Sequence, residues 1–319
     1  MRAAMRKRTG LLPAALILAL AAGCLQAPAT SGQTGAATAR VSQLARLLDA
    51  GTIVFGNFAN FSGIGNAPID AMTHSADENI DVVMYDLEHN PFDVEDMRTY
   101  MQFLLDPGAL VEAGDMSVSK TIIARIPAYG RELEHNTWMV KSVLDAGVHG
   151  VVFPHIETAE QALTAVRAMR YPQEPDAPDF EPDGIRGSGA AVAARYWGLS
   201  VPDYRAQSDI WRLDPNGNLI PWFIIENRLA VENVRDIART LAEHNIGAVL
   251  WAGTGDLSVS LLQDQEALAV AVDEILAAGK EFGLPVAMNG AVDVARHIEQ
   301  GARIFMGAAT PEARREAGR

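Results

Sequence analysis

A single cysteine, Cys24, in a chain of 319 residues excludes an internal disulfide framework. No Cys/His spacing of the zinc-ligand type occurs, which removes a closed tetrahedral zinc site. There is no repeat of solenoid period and no heptad run, so stacked-repeat and coiled-coil architectures fall away. Positive charge is scarce: 26 Lys and Arg face 40 Asp and Glu, for a formal net charge of −14. A body this acidic argues against nucleic acid and anionic lipid as partners, because both would repel it. It leaves room for an anionic substrate, provided that local arginines or a metal ion receive it.

What is present begins with a segment separate from any fold. The stretch "MRAAMRKRTG" holds four basic residues and no acid, and "LLPAALILALAAGC" after it is apolar and ends in small residues. That is the layout of a secretory signal over residues 1–23, too short for a spanning helix. Cys24 follows "LAAG" and resembles the lipidated first mature residue of a bacterial lipoprotein; plain cleavage after a small residue is the alternative. Residues 24–40 are small and polar without apolar period, the composition of a flexible tether. The expected location is therefore extracytoplasmic, either periplasmic or anchored to a membrane. Loss of residues 1–23 would leave 22 basic against 40 acidic residues, a net charge of about −18.

From residue 41 onward the chain alternates. "RVSQLARLLDAG" has helical apolar spacing and stops at Gly51. Eight short apolar runs follow: "TIVFGNF", "IDVVMYD", "TIIARI", "HGVVFP", "PWFIIE", "GAVLWAG", "LPVAMNG" and "ARIFMG". Amphipathic segments such as "TAEQALTAVRAM" and "ENVRDIARTLAEH" separate them. Nearly continuous hydrophobicity marks strands covered on both faces. Eight of these with intervening helices predict one α/β domain over 41–319, a parallel (β/α)8 TIM barrel. A doubly wound open sheet is the alternative, but no Gly-rich dinucleotide fingerprint follows the first strand. "YPQEPDAPDFEPDG" (171–184) and "DPNGN" (214–218) break the rhythm and are expected to be loops over the mouth at the strands' C-terminal ends.

That mouth is where a barrel collects chemistry, so the polar strand ends become the candidates. "VVMYDLEH" delivers Asp86, Glu88 and His89; "TIIAR" delivers Arg125; "PWFIIE" delivers Glu226; "GAVLWAGTGD" delivers Asp256. A polar residue ending a strand is most often merely solvated. Glu226 resists that reading, because the uninterrupted apolar run before it places a carboxylate where it needs a partner. Glu226 with Asp256 offers two hard oxygen ligands from separate strands, which suits Mg2+ or Mn2+ and admits Co2+. His74, His135, His244 and His297 fall in helical stretches and read as surface or packing residues. His149 and His155 flank "GVVFP", with His155 nearer the mouth.

At this point the motifs "YDLEHNPFD", "IIARIP", "VLDAGVHGVVFPHIETAEQA", "MRYP", "GIRGSGAA", "FIIEN" and "GTGDLSVSL" together resemble the HpcH/HpaI aldolase and citrate lyase family. The resemblance runs in order from about residue 41 to 309. It is nearest to the class II pyruvate aldolases of the 2-keto-3-deoxy acid and 4-hydroxy-2-oxoheptanedioate type. It implies a barrel of the phosphoenolpyruvate/pyruvate superfamily and a divalent-metal-dependent carbon–carbon lyase. Such an enzyme cleaves or forms a 4-hydroxy-2-oxo acid from pyruvate and an aldehyde, through a metal-bound pyruvate enolate. Carried over residue by residue, it implies Glu226 and Asp256 as metal ligands, His89 as the base and Asp86 as its paired acid. Arg125 becomes the cation beside the keto acid's oxygens, and Asp145 a further acid orienting the base. The loop of Gly253, Thr254 and Gly255 becomes the backbone cradle for the keto acid.

The chain departs from that pattern in three places. "GTGD" stands where relatives have Gly-Pro-(Ala/Asn)-Asp, and Ile224 stands where the aldolases often have Gln. Only "AATPEARREAGR" follows "ARIFMG", whereas relatives carry a longer, subunit-swapping last helix; the resemblance implies a homo-oligomer, here with a weakened swap. Two alternatives are carried forward: a tethered, non-catalytic keto-acid- and metal-binding protein, and a citrate-lyase-like enzyme of different substrate. On the N-terminal reading, protein made in an export-competent bacterial host will begin at or near Cys24. Mass spectrometry that finds the intact N-terminus overturns this, and Cys24→Ser separates lipidation from simple cleavage.

Overall fold

The computed structural model describes residues 40–60, 67–116 and 119–319, which belong to one compact unit. The signal-like segment 1–23, Cys24 and the tether up to residue 39 lie outside the described residues. No described helix is long and apolar enough to cross a membrane. Among the described residues there are eight strands: β1 (Val54–Ala59), β2 (Val82–Asp86), β3 (Thr121–Arg125), β4 (Gly150–Phe153), β5 (Ile220–Ile225), β6 (Val249–Ala252), β7 (Val286–Asn289) and β8 (Ala302–Met306). They pair in chain order, all parallel, and β8 closes onto β1. Each overlaps one of the eight apolar runs, and helices fill the intervals, so the TIM barrel expected from periodicity is the fold found.

Closure of the sheet forces side chains of alternate parity into two separate cores. Val54, Val82, Met84, Ile123, Val152, Trp222, Ile224, Trp251 and Ile304 fill the interior of the barrel. Phe55, Val83, Tyr85, Ile122, Phe223, Ile225, Leu250 and Phe305 face outward against the helices. The interior needs a floor, and the helix Gln43–Asp49 provides it. Ser42 caps that helix by accepting from the Ala45 N–H. Its Leu44, Ala45 and Leu48 join the interior core. The Leu44 N–H donates to Thr121 Oγ1 at 2.9 Å, and the Ser42 N–H to Asn218 Oδ1 at 3.0 Å. Both acceptors stand at the N-terminal ends of strands, which fixes the plug at that end.

The two irregular segments are not where periodicity alone put them. Both precede β5, and 171–184 follows the helix Ala159–Met169, which has already carried the chain away from the mouth. Asn218 holds the floor helix, and Arg167 Nε donates to the Asp183 carbonyl at 3.0 Å. In a βαβ unit the segment after a helix belongs to the N-terminal end of the sheet, so these loops lie opposite the mouth. The buried Arg170 organises them: it bonds both oxygens of Asp209, at 2.7 and 2.9 Å, and Asp179 Oδ2 at 2.8 Å. The last helix, Pro311–Glu316, folds back on its own barrel, where Arg319 Nη1 lies 2.6 Å from Asp81 Oδ2.

His149, just before β4, lies flat against Trp197, with ring centroids 4.7 Å apart and planes 2° from parallel. Neither ring nitrogen has a hydrogen-bond partner among the described residues. Burial without a partner pushes its pKa down from 6.5 to about 3. The folded state therefore holds a neutral imidazole that the unfolded chain protonates at 6.5. Stability from this group is complete above that pH and falls by about 1.4 kcal/mol for each unit below it, until the folded-state value is reached. Replacing His149 by Phe keeps the stack and removes the titration, so urea midpoints between pH 7 and pH 4 should fall less steeply than in the wild type. Equal slopes would show that His149 is not a source of acid sensitivity.

Candidate active site at the barrel mouth

The interior parity of each strand dictates what reaches the mouth. On β5, Trp222 and Ile224 point inward, so Glu226, two residues further, falls on the same face. Met84 on β2 leads in the same way to Asp86, Ile123 on β3 to Arg125, and Trp251 on β6 to Gly253. Four strands thus deliver a carboxylate, a guanidinium, a second carboxylate and a bare backbone to one layer.

Asp86 and Arg125 are register partners across β2 and β3. Arg125 Nε donates to Asp86 Oδ1 at 2.9 Å and Nη2 to Oδ2 at 2.8 Å, a two-pronged pair with Asp86 fully buried. Arg125 Nη1 lies 3.1 Å from Glu88 Oε2. His89 brings Nδ1 to 3.0 Å from Asp86 Oδ2 and 2.7 Å from Arg125 Nη2. A neutral imidazole nitrogen either donates or accepts, so Nδ1 cannot serve both neighbours at once. When Nδ1–H donates to Asp86, Nε2 carries a lone pair and becomes the basic atom. The His89 side chain is about half exposed, at 49%, and lines the pocket.

Glu226 is almost fully buried, at 3% exposure. Its Oε1 accepts the His155 N–H at 2.7 Å, and His155 holds a positive φ of 50° to present it. At Gly253, a Cβ would stand 2.6 Å from Glu226 Cβ and 3.0 Å from Glu226 Oε2, so only glycine lets the carboxylate rest there. Burial pushes the Glu226 carboxyl up to about 8; the His155 N–H opposes this, and Glu88 and Asp256 reinforce it by charge repulsion. Burial also raises Glu88, against the pull of Arg125 and His89. Asp256 is exposed in the first turn of the short helix Thr254–Ser260. A pocket of about 370 Å3 joins these groups, lined by Phe58, His89, Arg125, Ile224, Glu226, Trp251, Gly253, Gly255, Asp256, Val259 and Asn289.

A family model described as HpcH/HpaI aldolase/citrate lyase matches residues 65–310. This chain belongs to that family. A 5-keto-4-deoxy-D-glucarate aldolase of Escherichia fergusonii is 31% identical over 228 residues, covering 70% of this chain and 74% of its own length. A hydroxypyruvate/pyruvate aldolase of Roseovarius nubinhibens is 36% identical over 124 residues, 39% of this chain and 40% of the relative. Among solved structures, an HpcH/HpaI aldolase/citrate lyase family protein from Burkholderia cenocepacia J2315 superposes with a TM-score of 0.64 at 26% identity. That superposition covers 84% of this chain and 92% of the other.

Within this HpcH/HpaI barrel, the predicted residues His89, Arg125, Glu226, Gly253, Gly255 and Asp256 meet at one pocket, with Asp86 directly behind His89 and Arg125. Thr254 opens the short helix but is not among the lining residues. Asp145 is a correction. It sits in the last turn of the helix Leu133–Ala146, pairs with Lys141, and accepts from Arg186 Nη2 at 3.1 Å. That helix carries it ~20 Å back from the mouth, so it cannot orient His89. Sequence reasoning missed the role of Glu88 as second anion on Arg125. It also missed Phe58, Trp251 and Asn289 as pocket walls, although inward parity on β1, β6 and β7 was a readable signal.

The Glu226 assignment has a direct check. In cation-free protein, the difference between wild-type and Glu226→Gln titration curves should show one proton released near pH 8, the value to which burial moves this carboxyl. A difference centred near pH 4 instead would mean that Glu226 is solvated.

Proposed function

We propose that the protein is a divalent-cation-dependent carbon–carbon lyase that cleaves or forms a 4-hydroxy-2-oxo acid, with pyruvate and an aldehyde as the two halves. The observation that carries this reading is the convergence of a His–Asp pair, a fixed arginine and a desolvated carboxylate on one pocket at a barrel mouth. Membership in a family whose relatives are named aldolases supports it.

The donor set fits a hard divalent ion. Asp86, Glu88, Glu226 and Asp256 surround the site, and Arg125 is the cation among the pocket's lining residues. Arg125 is committed to Asp86 and Glu88, which leaves Glu226 and Asp256 without an ion pair to Lys or Arg among the described residues. Asp86, Glu88 and His89 also lie close enough together to hold an ion, but Arg125 already binds both of those carboxylates. Glu226 and Asp256 are therefore the better ligands, for Mg2+, Mn2+ or Co2+. A cation bound there would supply Lewis acidity toward the 2-oxo and carboxylate oxygens of the substrate.

The chain's own residues do the rest. His89 Nε2, with Nδ1–H held by Asp86, takes the proton from the C4 hydroxyl. The C3–C4 bond then breaks, C4 becomes the aldehyde carbonyl, and the bonding pair moves toward the 2-oxo group. Arg125, immobilised by its two carboxylates, places a permanent positive charge near the oxygen on which negative charge grows. A proton returned to C3 completes pyruvate. On this reading the backbone of Gly253, Thr254 and Gly255 cradles the keto acid's carboxylate. In the condensing direction the same groups act in reverse.

Calorimetric Mn2+ binding should be lost in Glu226→Ala and Asp256→Ala, while both variants keep a cooperative unfolding transition. His89→Gln should retain Mn2+ and pyruvate binding but slow pyruvate release from 4-hydroxy-2-oxo acids by on the order of a hundredfold or more. Unchanged Mn2+ affinity in both carboxylate variants would remove the cation site and the mechanism with it.

A further inference from the structure

The pocket has two unlike sides. Asp86, Glu88, His89, Arg125 and Glu226 come from β2, β3 and β5 and the residues just after them. The opposite side is mostly hydrocarbon: Phe58 from β1, Trp251 from β6 and Val259 from the short helix, with Ile224 beneath and Asp256 and Asn289 at its edges. Phe58 and Trp251 stack, with ring centroids 6.1 Å apart and planes 16° from parallel. Trp251 is held in turn by Trp222, edge-on at 5.7 Å, and by its Nε1–H, which donates to Asn289 Oδ1 at 3.0 Å. This is a preorganised apolar wall whose one indole donor is already used.

Charge leads to the same conclusion. Arg125 is the one cation among the described lining residues, and two carboxylates hold it. Beyond that lining, Arg131 is paired with Glu157 at 2.9 Å, Arg228 is exposed at the start of the helix Arg228–Glu232 with its backbone N–H on Ser260 Oγ at 3.0 Å, and residues 61–66 contain no Lys or Arg. Asp86, Glu88, Glu226 and Asp256 outnumber the Arg125 guanidinium, so the site has no positive group to spare for a second carboxylate. Within the lining, a second carboxylate on the substrate would meet negative charge, with the Asn289 amide as the one neutral side-chain donor.

Resting on the lyase reading above, we infer that the aldehyde half of the substrate is uncharged and apolar, and that Phe58, Trp251 and Val259 select it. The preferred substrate class is thus a 4-hydroxy-2-oxo acid with an alkyl or aryl group on C4. The keto-acid half keeps the polar side, and the C4 substituent lies on the aromatic wall. This departs from the dicarboxylate in the name of the Escherichia fergusonii relative.

The test compares kcat/KM in Mn2+ for substrates bearing isopropyl or phenyl on C4 with those bearing carboxyl or carboxyethyl. Deuterium exchange into the pyruvate methyl group, followed by NMR, is measured alongside. The apolar pair should exceed the carboxylated pair by at least tenfold, the scale of one well-filled apolar subsite. Val259→Arg, a substitution on an exposed helix position, should raise the carboxylated pair at least tenfold relative to the apolar pair. Phe58→Ala should lower the apolar pair. Pyruvate exchange with equal or better turnover of the carboxylated pair overturns this inference and leaves the lyase reading standing. Absence of both exchange and cleavage overturns the lyase reading, and this inference with it.

Discussion

The Asp86–Arg125 pair is the interaction on which the mouth of this barrel depends. Each residue ends its strand on the inward face, in register with the other, where water is largely excluded. A lone charge there would cost several kcal/mol, and removing one partner typically costs 3–5 kcal/mol because the other stays buried. The two-pronged geometry turns that liability into a rigid platform. On it Arg125 cannot swing away, and Asp86 keeps an oxygen 3.0 Å from His89 Nδ1. The base and the fixed cation of the proposed chemistry are consequences of one compensated burial.

Glu226 is the opposite case. Among the described residues its burial is met by no ion pair with Lys or Arg; the His155 N–H and ring, the charge of Arg125 and the absence of a side chain at Gly253 only moderate it. The fold therefore carries a carboxyl that holds its proton up to about pH 8 in the absence of a cation. Its neighbours Glu88 and Asp256 raise it further. A compensated acid and an uncompensated one in the same pocket divide the labour, the first orienting the base and the second awaiting a ligand.

The opposite end of the barrel is devoted to stability. The floor helix Gln43–Asp49, the loops organised by Arg170 and the folded-back last helix all gather there. None of these contributes to the pocket, so the mouth can hold partly unsatisfied polar groups while packing is secured elsewhere. This separation is the usual asymmetry of the (β/α)8 fold.

Sequence alone determined the number, order and type of the strands, because burial on both faces writes short, β-branched apolar runs that alternate with longer amphipathic segments. It also placed Asp86, Arg125, Glu226 and Asp256 at strand ends or just beyond, where the apolar run gives way to polar residues. The tertiary structure decided what those residues do to one another. Register made Asp86 and Arg125 partners, and bound Glu88 to the same arginine. Parity across β1, β5, β6 and β7 gathered Phe58, Ile224, Trp251 and Asn289 into one wall, though no two of them are close in sequence. The direction of travel through each βαβ unit moved the 171–184 and 214–218 loops to the floor and carried Asp145 away from the base. Those outcomes depend on closure of the sheet and on chain direction in three dimensions, and a local pattern of residues carries neither.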